Sequence, residues 1–197
     1  FGWSLGGPYA LVCAYKLPHL VTTAGTIGGV APFERPRAIG EPPSIVDRMI
    51  ISATGPVRNA LAIALTAARY MPESLVRWSL LSETKAEIDR EIIGQMSVAE
   101  STAFLYEGSR QGGLGIMDDY AAVGRKWGFE LGEIAQRVLI WHGEKDLLCP
   151  MTGAEYLQDH IPAGKLEVVA GLGHFLLHRK LGYVLDELFF ENECIEN

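Results

Sequence analysis

Hydrophobic residues in the first thirty positions come in dense runs. Tyr9-Ala10-Leu11-Val12-Cys13-Ala14-Tyr15 behind Pro8 predicts a helix with proline in its first turn, closed by Lys16-Leu17-Pro18. Leu20 to Gly28 predicts a buried strand broken by glycine, ending at Gly29-Val30-Ala31-Pro32. Glu34 to Pro43 has the texture of a loop, with Pro36, Pro42 and Pro43 following Pro32. Strand signals then vanish until Arg137. Arg58 to Arg69 is strongly helical by propensity. Thr84-Lys85-Ala86-Glu87 and Ser97-Val98-Ala99-Glu100 both match the capping-box pattern, each predicting a new helix. Gly112-Gly113-Leu114-Gly115 predicts a break before the helical pattern resumes from Ile116 to Trp127.

Short apolar runs return with Val138-Leu139-Ile140-Trp141 and again with Leu166-Glu167-Val168-Val169, both predicting strands. Between them Thr152 to Ile161 predicts a helix stopped by Pro162 and Gly164. A last helix is predicted from about Leu181 to Phe190, with Leu181, Val184, Leu185, Leu188 and Phe189 on one face. The acidic tail, residues 191–197, is expected to fray. Strands and helices thus alternate at both ends around a helical middle. The pattern predicts an α/β fold in three parts: residues 1–33 and 133–197 as a core with a parallel sheet, and residues 34–132 as a helical insertion.

Candidate chemistry sits where the predicted strands end. Gly2-Trp3-Ser4-Leu5-Gly6 has the glycine spacing of a nucleophile elbow, a sharp strand-to-helix turn that lifts a serine hydroxyl clear of the backbone. Glycine two residues to either side is expected to keep strand and helix from colliding. The pattern is short, and in a chain with 22 glycines it gains weight only from its context. That context is His142-Gly143-Glu144-Lys145-Asp146 after one predicted strand and Gly171-Leu172-Gly173-His174 after the next. Serine, acid and histidine therefore occur in chain order, each just past a strand.

Through these three motifs the sequence resembles the α/β-hydrolase fold proteins. The resemblance covers most of the chain, the middle only loosely. It implies Ser4 as nucleophile, Asp146 as acid, His174 as general base and the backbone N–H of Leu5 as one oxyanion-hole donor. It also implies that the helical insertion is a cap that shapes substrate choice. Further strands and a second oxyanion donor precede the elbow in such proteins. The sequence is accordingly read as the C-terminal part of a hydrolase, with the N-terminal half of the sheet outside it.

Each assignment has a plainer rival. Ser4 and Asp146 could be turn residues, and His174 a structural histidine. His142 is read as a packing or hydrogen-bonding residue at a strand end, and Asp118, Asp119 and Asp159 as helical surface positions. His174-x-x-x-His178 lacks the glutamate of the zinc-protease motif, so no metal is expected. The Gly112–Gly115 cluster follows no strand and carries no lysine, which makes it a helix break rather than a nucleotide loop. Trp3 and Phe175 flank the proposed site, where substrate contact and ordinary apolar packing explain them equally well.

Composition narrows the partners. A net charge of −7 disfavours nucleic acid, which needs basic patches. The longest uncharged run, residues 17–33, is too short and too interrupted to span a bilayer. Cys13, Cys149 and Cys194 are scattered without metal spacing, which favours reduced thiols and a cytoplasmic setting. The expected partner is a small acyl substrate, with no cofactor; oligomeric state is not readable. The expected activity is serine hydrolysis of a carboxylic ester. The same triad would serve a thioester, an amide or a C–C bond, and a non-catalytic binding module is the other reading.

Overall fold

A computed structural model describes residues 1–32 and 45–189. Four parallel strands form one sheet in the order β1 (Gly2–Trp3), β2 (Thr23–Ile27), β3 (Arg137–Gly143), β4 (Gly164–Val169). Strand order follows chain order, and because each pair is parallel all four C-terminal ends lie along the same edge of the sheet. Helix α1 (Gly6–Lys16) crosses from β1 to β2, and α8 (Met151–His160) from β3 to β4. Between β2 and β3 come α2 (Ile45–Ser52), α3 (Gly55–Ala68), α4 (Glu73–Glu83), α5 (Glu87–Gln95), α6 (Val98–Gly108) and α7 (Gly113–Val123). Helix α9 (Leu177–Phe189) follows β4 after a 3₁₀ turn, His174–Leu176.

The sheet is a parallel α/β sheet covered on both faces, as an almost continuous apolar strand such as β3 requires. Side chains of β3 alternate between two cores. Val138 and Ile140 pack with Leu11, Leu157 and Ile161 from α1 and the α8 side. Leu139 and Trp141 pack with Ile27, Leu176, Val184 and Leu188 on the α9 side. Fully burying a side chain of this size is worth roughly 1.5–3 kcal/mol. The middle helices build smaller cores of their own: Ile50, Ala62 and Met117 in one, Ile92, Ile93 and Phe175 in another. The second of these reaches the segment that carries His174.

Several expected boundaries shift. The strand predicted over Leu20–Gly28 is shorter, Thr23–Ile27, because Leu20 and Val21 hydrogen-bond back to Leu17 in a turn. Ser97 does open α6 with a capping box, but Thr84 opens nothing. Thr84 caps the C-terminal end of α4 and donates its hydroxyl to Leu80 O at 2.7 Å, while Ala86 takes the N-cap of α5. The glycine-rich break ends three residues early, at Gly112 rather than Gly115. Gly113 and Gly115 belong to α7, and a Cβ on Gly113 would lie 2.1 Å from Ala62 O. Glycine there lets α7 lie against α3. Helix α7 ends at Val123, short of Trp127, and α9 begins at Leu177 rather than Leu181. The predicted proline loop and the acidic tail lie outside the described residues. Among those described, no helix is long and apolar enough to cross a membrane.

Candidate active site

Ser4 sits between β1 and α1 with φ 55°, and it is the one non-glycine residue at positive φ among those described. Its N–H donates to Ile27 O at 2.9 Å and its carbonyl accepts from Gly7 N–H at 3.0 Å. The first bond continues the β1–β2 pairing and the second starts the helix, so the serine is held from both sides in a strained turn. The two flanking glycines differ. A Cβ on Gly2 would lie 1.9 Å from Gly6 O, so there the expected collision is real. A Cβ on Gly6 would meet nothing within 4 Å, because Gly6 faces a cavity. Its missing side chain leaves open space next to Ser4 instead of relieving strand–helix contact.

Asp146 follows the end of β3, and its side chain is wholly buried. Oδ1 accepts the N–H groups of Leu148 and Cys149 at 2.8 and 2.9 Å, closing the turn in which it sits. Oδ2 lies 2.9 Å from Nδ1 of His174. An ionised carboxylate only accepts, so Nδ1 carries the proton and Nε2 is left as the acceptor. Burial is the largest influence on this carboxyl and pushes its pKa up. The His174 hydrogen bond and charge, with the Cys149 N–H, outweigh it and hold the pKa below the usual carboxylate range. Gly28, at φ 51°, lies against the pair: a Cβ there would be 3.2 Å from both Asp146 Oδ2 and His174 Nδ1.

The acid and histidine loops are tied to each other. Lys145 N–H donates to Leu172 O at 2.8 Å, and Gly171 N–H donates to the Glu144 carboxylate at 2.8 Å. The indole of Trp3 donates to His174 O at 2.9 Å, and its ring lies 5.2 Å from that of Phe175. Ser4, His174, Trp3, Phe175 and Leu5 all line one cavity of about 590 Å³. Its far walls come from the middle helices, with Leu80, Phe104, Leu105, Ile116 and Tyr120. Leu5 occupies the N-cap of α1. A smaller cleft of about 80 Å³, beside Trp127 and His160, shares no residue with the large one. An imidazole oriented by a carboxylate, in one cavity with a serine at a strained turn, is the set of groups that acyl transfer uses.

The other polar candidates separate cleanly. His142 is fully buried and its Nε2 lies 3.0 Å from Cys149 O, a hydrogen-bonding role at the strand end. Asp118 pairs with Arg58, whereas Asp119, expected as a helical surface position, accepts the Tyr9 hydroxyl at 2.7 Å on the cavity wall. Among the described residues no cluster of three or more ligating side chains is placed to hold a metal. Burial lowers the pKa of both His142 and His178. A histidine that resists protonation when folded binds a proton more readily when unfolded, so falling pH favours unfolding. Melting temperature is therefore expected to decline as pH drops below about 6.5, the ordinary histidine value. A melting temperature that is flat or rising from pH 7 to pH 5 would refute this.

No family model and no curated protein matches the sequence. Solved structures do match. A serine hydrolase from the polyaromatic-hydrocarbon-degrading bacterium Cycloclasticus zankles superposes with TM-score 0.55 at 19% identity, covering 100% of this chain and 64% of that one. An esterase from Exiguobacterium antarcticum gives 0.54 at 22% identity, covering 95% and 63%. The 2-hydroxy-6-oxo-6-phenylhexa-2,4-dienoate hydrolase from Rhodococcus sp. strain RHA1 gives 0.54 at 20%, covering 95% and 62%. The chain has the α/β-hydrolase fold.

It spans less than two thirds of the length of these three structures. Within the α/β-hydrolase frame one residue at the site went unread in the sequence. Asp89 on α5 is 1% exposed, and its two carboxylate oxygens accept the N–H groups of His174 and Phe175, each at 2.9 Å. A trace of it was present. Asp89, Ile92, Ile93 and Met96 share one helical stripe, and a charge in such a stripe signals a buried polar contact.

Proposed function

We propose that the protein is a serine hydrolase acting on a carboxylic ester or a related acyl substrate through Ser4, His174 and Asp146. The observation that carries this reading is the 2.9 Å contact of Asp146 Oδ2 with His174 Nδ1 beside the cavity that Ser4 and His174 share. His174 Nε2 takes the proton from the Ser4 hydroxyl as Oγ attacks the acyl carbon. The tetrahedral intermediate collapses when the same nitrogen returns the proton to the departing alcohol. Water then repeats the sequence on the acyl-enzyme and releases the acid. Asp146 holds the imidazole in the required tautomer and stabilises its protonated form. The Leu5 N–H is one donor to the oxyanion, and in this fold the second comes from a loop ahead of the elbow. One such donor is worth about 100- to 1,000-fold in turnover.

Residues 34–132 act in this reading as a cap, and Trp3 and Phe175 form part of the substrate wall. The ester is placed first because a serine hydrolase and an esterase are among the structural neighbours. Thioester, amide and C–C substrates use the same triad, and pocket contacts decide among them. A fluorophosphonate probe is expected to label Ser4 and no other residue, with labelling abolished in Ser4→Ala. A folded protein that neither labels at Ser4 nor hydrolyses any short-chain aryl ester would be a binding module instead.

A further inference from the structure

We propose that Asp89 is a positioning residue for His174, delivered by α5 to hold the histidine segment in its working place. The inference rests on the reading of His174 as general base. The ring of His174 is oriented by Asp146, but its backbone stands on a pliant stretch, with Gly171 at φ 72° and Gly173 just before it. Three hydrogen bonds fix the backbone there. Trp3 donates to the carbonyl of His174, and Asp89 accepts from its N–H and from that of Phe175. Both carboxylate oxygens are used, one on each amide.

The fit is close on the loop side as well. A Cβ on Gly173 would stand 2.4 Å from Asp89 Oδ2, so the loop admits the carboxylate only because residue 173 has no side chain. Burying a carboxylate is costly, and in the apolar stripe with Ile92 and Ile93 a hydrophobic residue would pack at no such cost. What repays the charge here is the pair of first amides of the 3₁₀ turn that leads into α9. Asp89 also lies in the first turn of α5, whose positive end favours a carboxylate. Burial still raises its pKa, the two amide bonds acting in the opposite direction.

A plain helix cap would contribute stability alone, whereas a positioning residue also governs how His174 meets its partners. The test compares Asp89→Asn and Asp89→Ala with Ile92→Val, which removes a methyl group from the same face but touches neither amide bond. Fluorophosphonate labelling of Ser4 is expected to slow about tenfold in Asp89→Asn and up to about a hundredfold in Asp89→Ala, the scale of a misplaced catalytic group. The low-field proton NMR signal of the His174 Nδ1–H is expected to broaden or shift in both. Ile92→Val should lower melting temperature and change neither readout. If Asp89→Ala does not fold, Asp89→Asn reads the same two quantities. Unchanged labelling and an unchanged Nδ1–H signal in Asp89→Asn, with only a lower melting temperature, would reduce Asp89 to a cap and overturn the proposal. A wild-type protein that does not label refutes the serine reading, and the NMR signal then decides the role of Asp89 alone.

Discussion

Asp146→Asn is expected to cut turnover of an ester substrate about ten-thousandfold with the fold intact. The reason is a proton on the wrong nitrogen. The amide oxygen of asparagine can replace Oδ1 and still accept the N–H groups of Leu148 and Cys149, so the turn survives. Its NH₂ then faces His174 Nδ1, where Oδ2 now accepts at 2.9 Å. Two donors cannot share a hydrogen bond, so Nδ1 becomes the acceptor and the imidazole carries its proton on Nε2. That nitrogen can no longer take the serine proton. Steady-state kinetics beside a melting curve checks this. A folded Asp146→Asn enzyme with unimpaired turnover would show that the acid lies elsewhere.

Gly2→Ala is expected to destabilise the fold by more than about 4 kcal/mol. The added Cβ would sit 1.9 Å from Gly6 O, 2.2 Å from Gly6 C and 2.8 Å from Gly7 N, all of them backbone atoms. No rotamer change relieves such a clash. The strand would have to leave its register with β2, or the first turn of α1 would have to unwind. Either loss belongs with the exceptional substitutions that cost more than about 4 kcal/mol, against a total stability of about 5–15 kcal/mol. Gly6→Ala is the matched control. Its Cβ meets no atom within 4 Å, and alanine is the better helix former by about 1 kcal/mol. Gly6→Ala should melt no lower than wild type, although its methyl group enters the cavity beside Ser4. Equal melting temperatures for the two variants would refute the argument.

What could be read from the sequence depended on how local the cause was. The elbow, the acid turn and the histidine turn are each written within a few residues, as glycine spacing next to an apolar run. Asp146 meets His174 at 2.9 Å, and Ser4 and His174 line one cavity. Strand β3 was legible for the same reason, as the unbroken apolar run from Val138 to Trp141. Asp89 was not legible in this way. Its partners are the amides of His174 and Phe175, far along the chain, and backbone amides leave no mark in a sequence. Gly6 misled in the opposite sense: its spacing suggested steric relief, whereas the space beside it is a cavity. Thr84 matched a capping box by composition, yet its hydroxyl found the preceding helix first. Capping patterns describe which bonds a residue can make, and competition between two nearby helix ends decides which one forms.

Strands β2 and β3 pair in register from Thr23 with Arg137 to Ile27 with Trp141, although residues 28–136 run between them. Closing so long an excursion is slow to vary in cost, about 0.6 kcal/mol for each doubling of its length. The sheet is therefore nearly indifferent to how much chain is inserted at this point. Descent with insertion, deletion or wholesale exchange of the middle helices could leave Ser4, Asp146 and His174 standing where they are. One restriction applies to any such exchange, natural or engineered. A replacement segment that offers no acceptor to the amides of residues 174 and 175 leaves two buried N–H groups unmatched, so the inserted helices can change freely only around the carboxylate of Asp89.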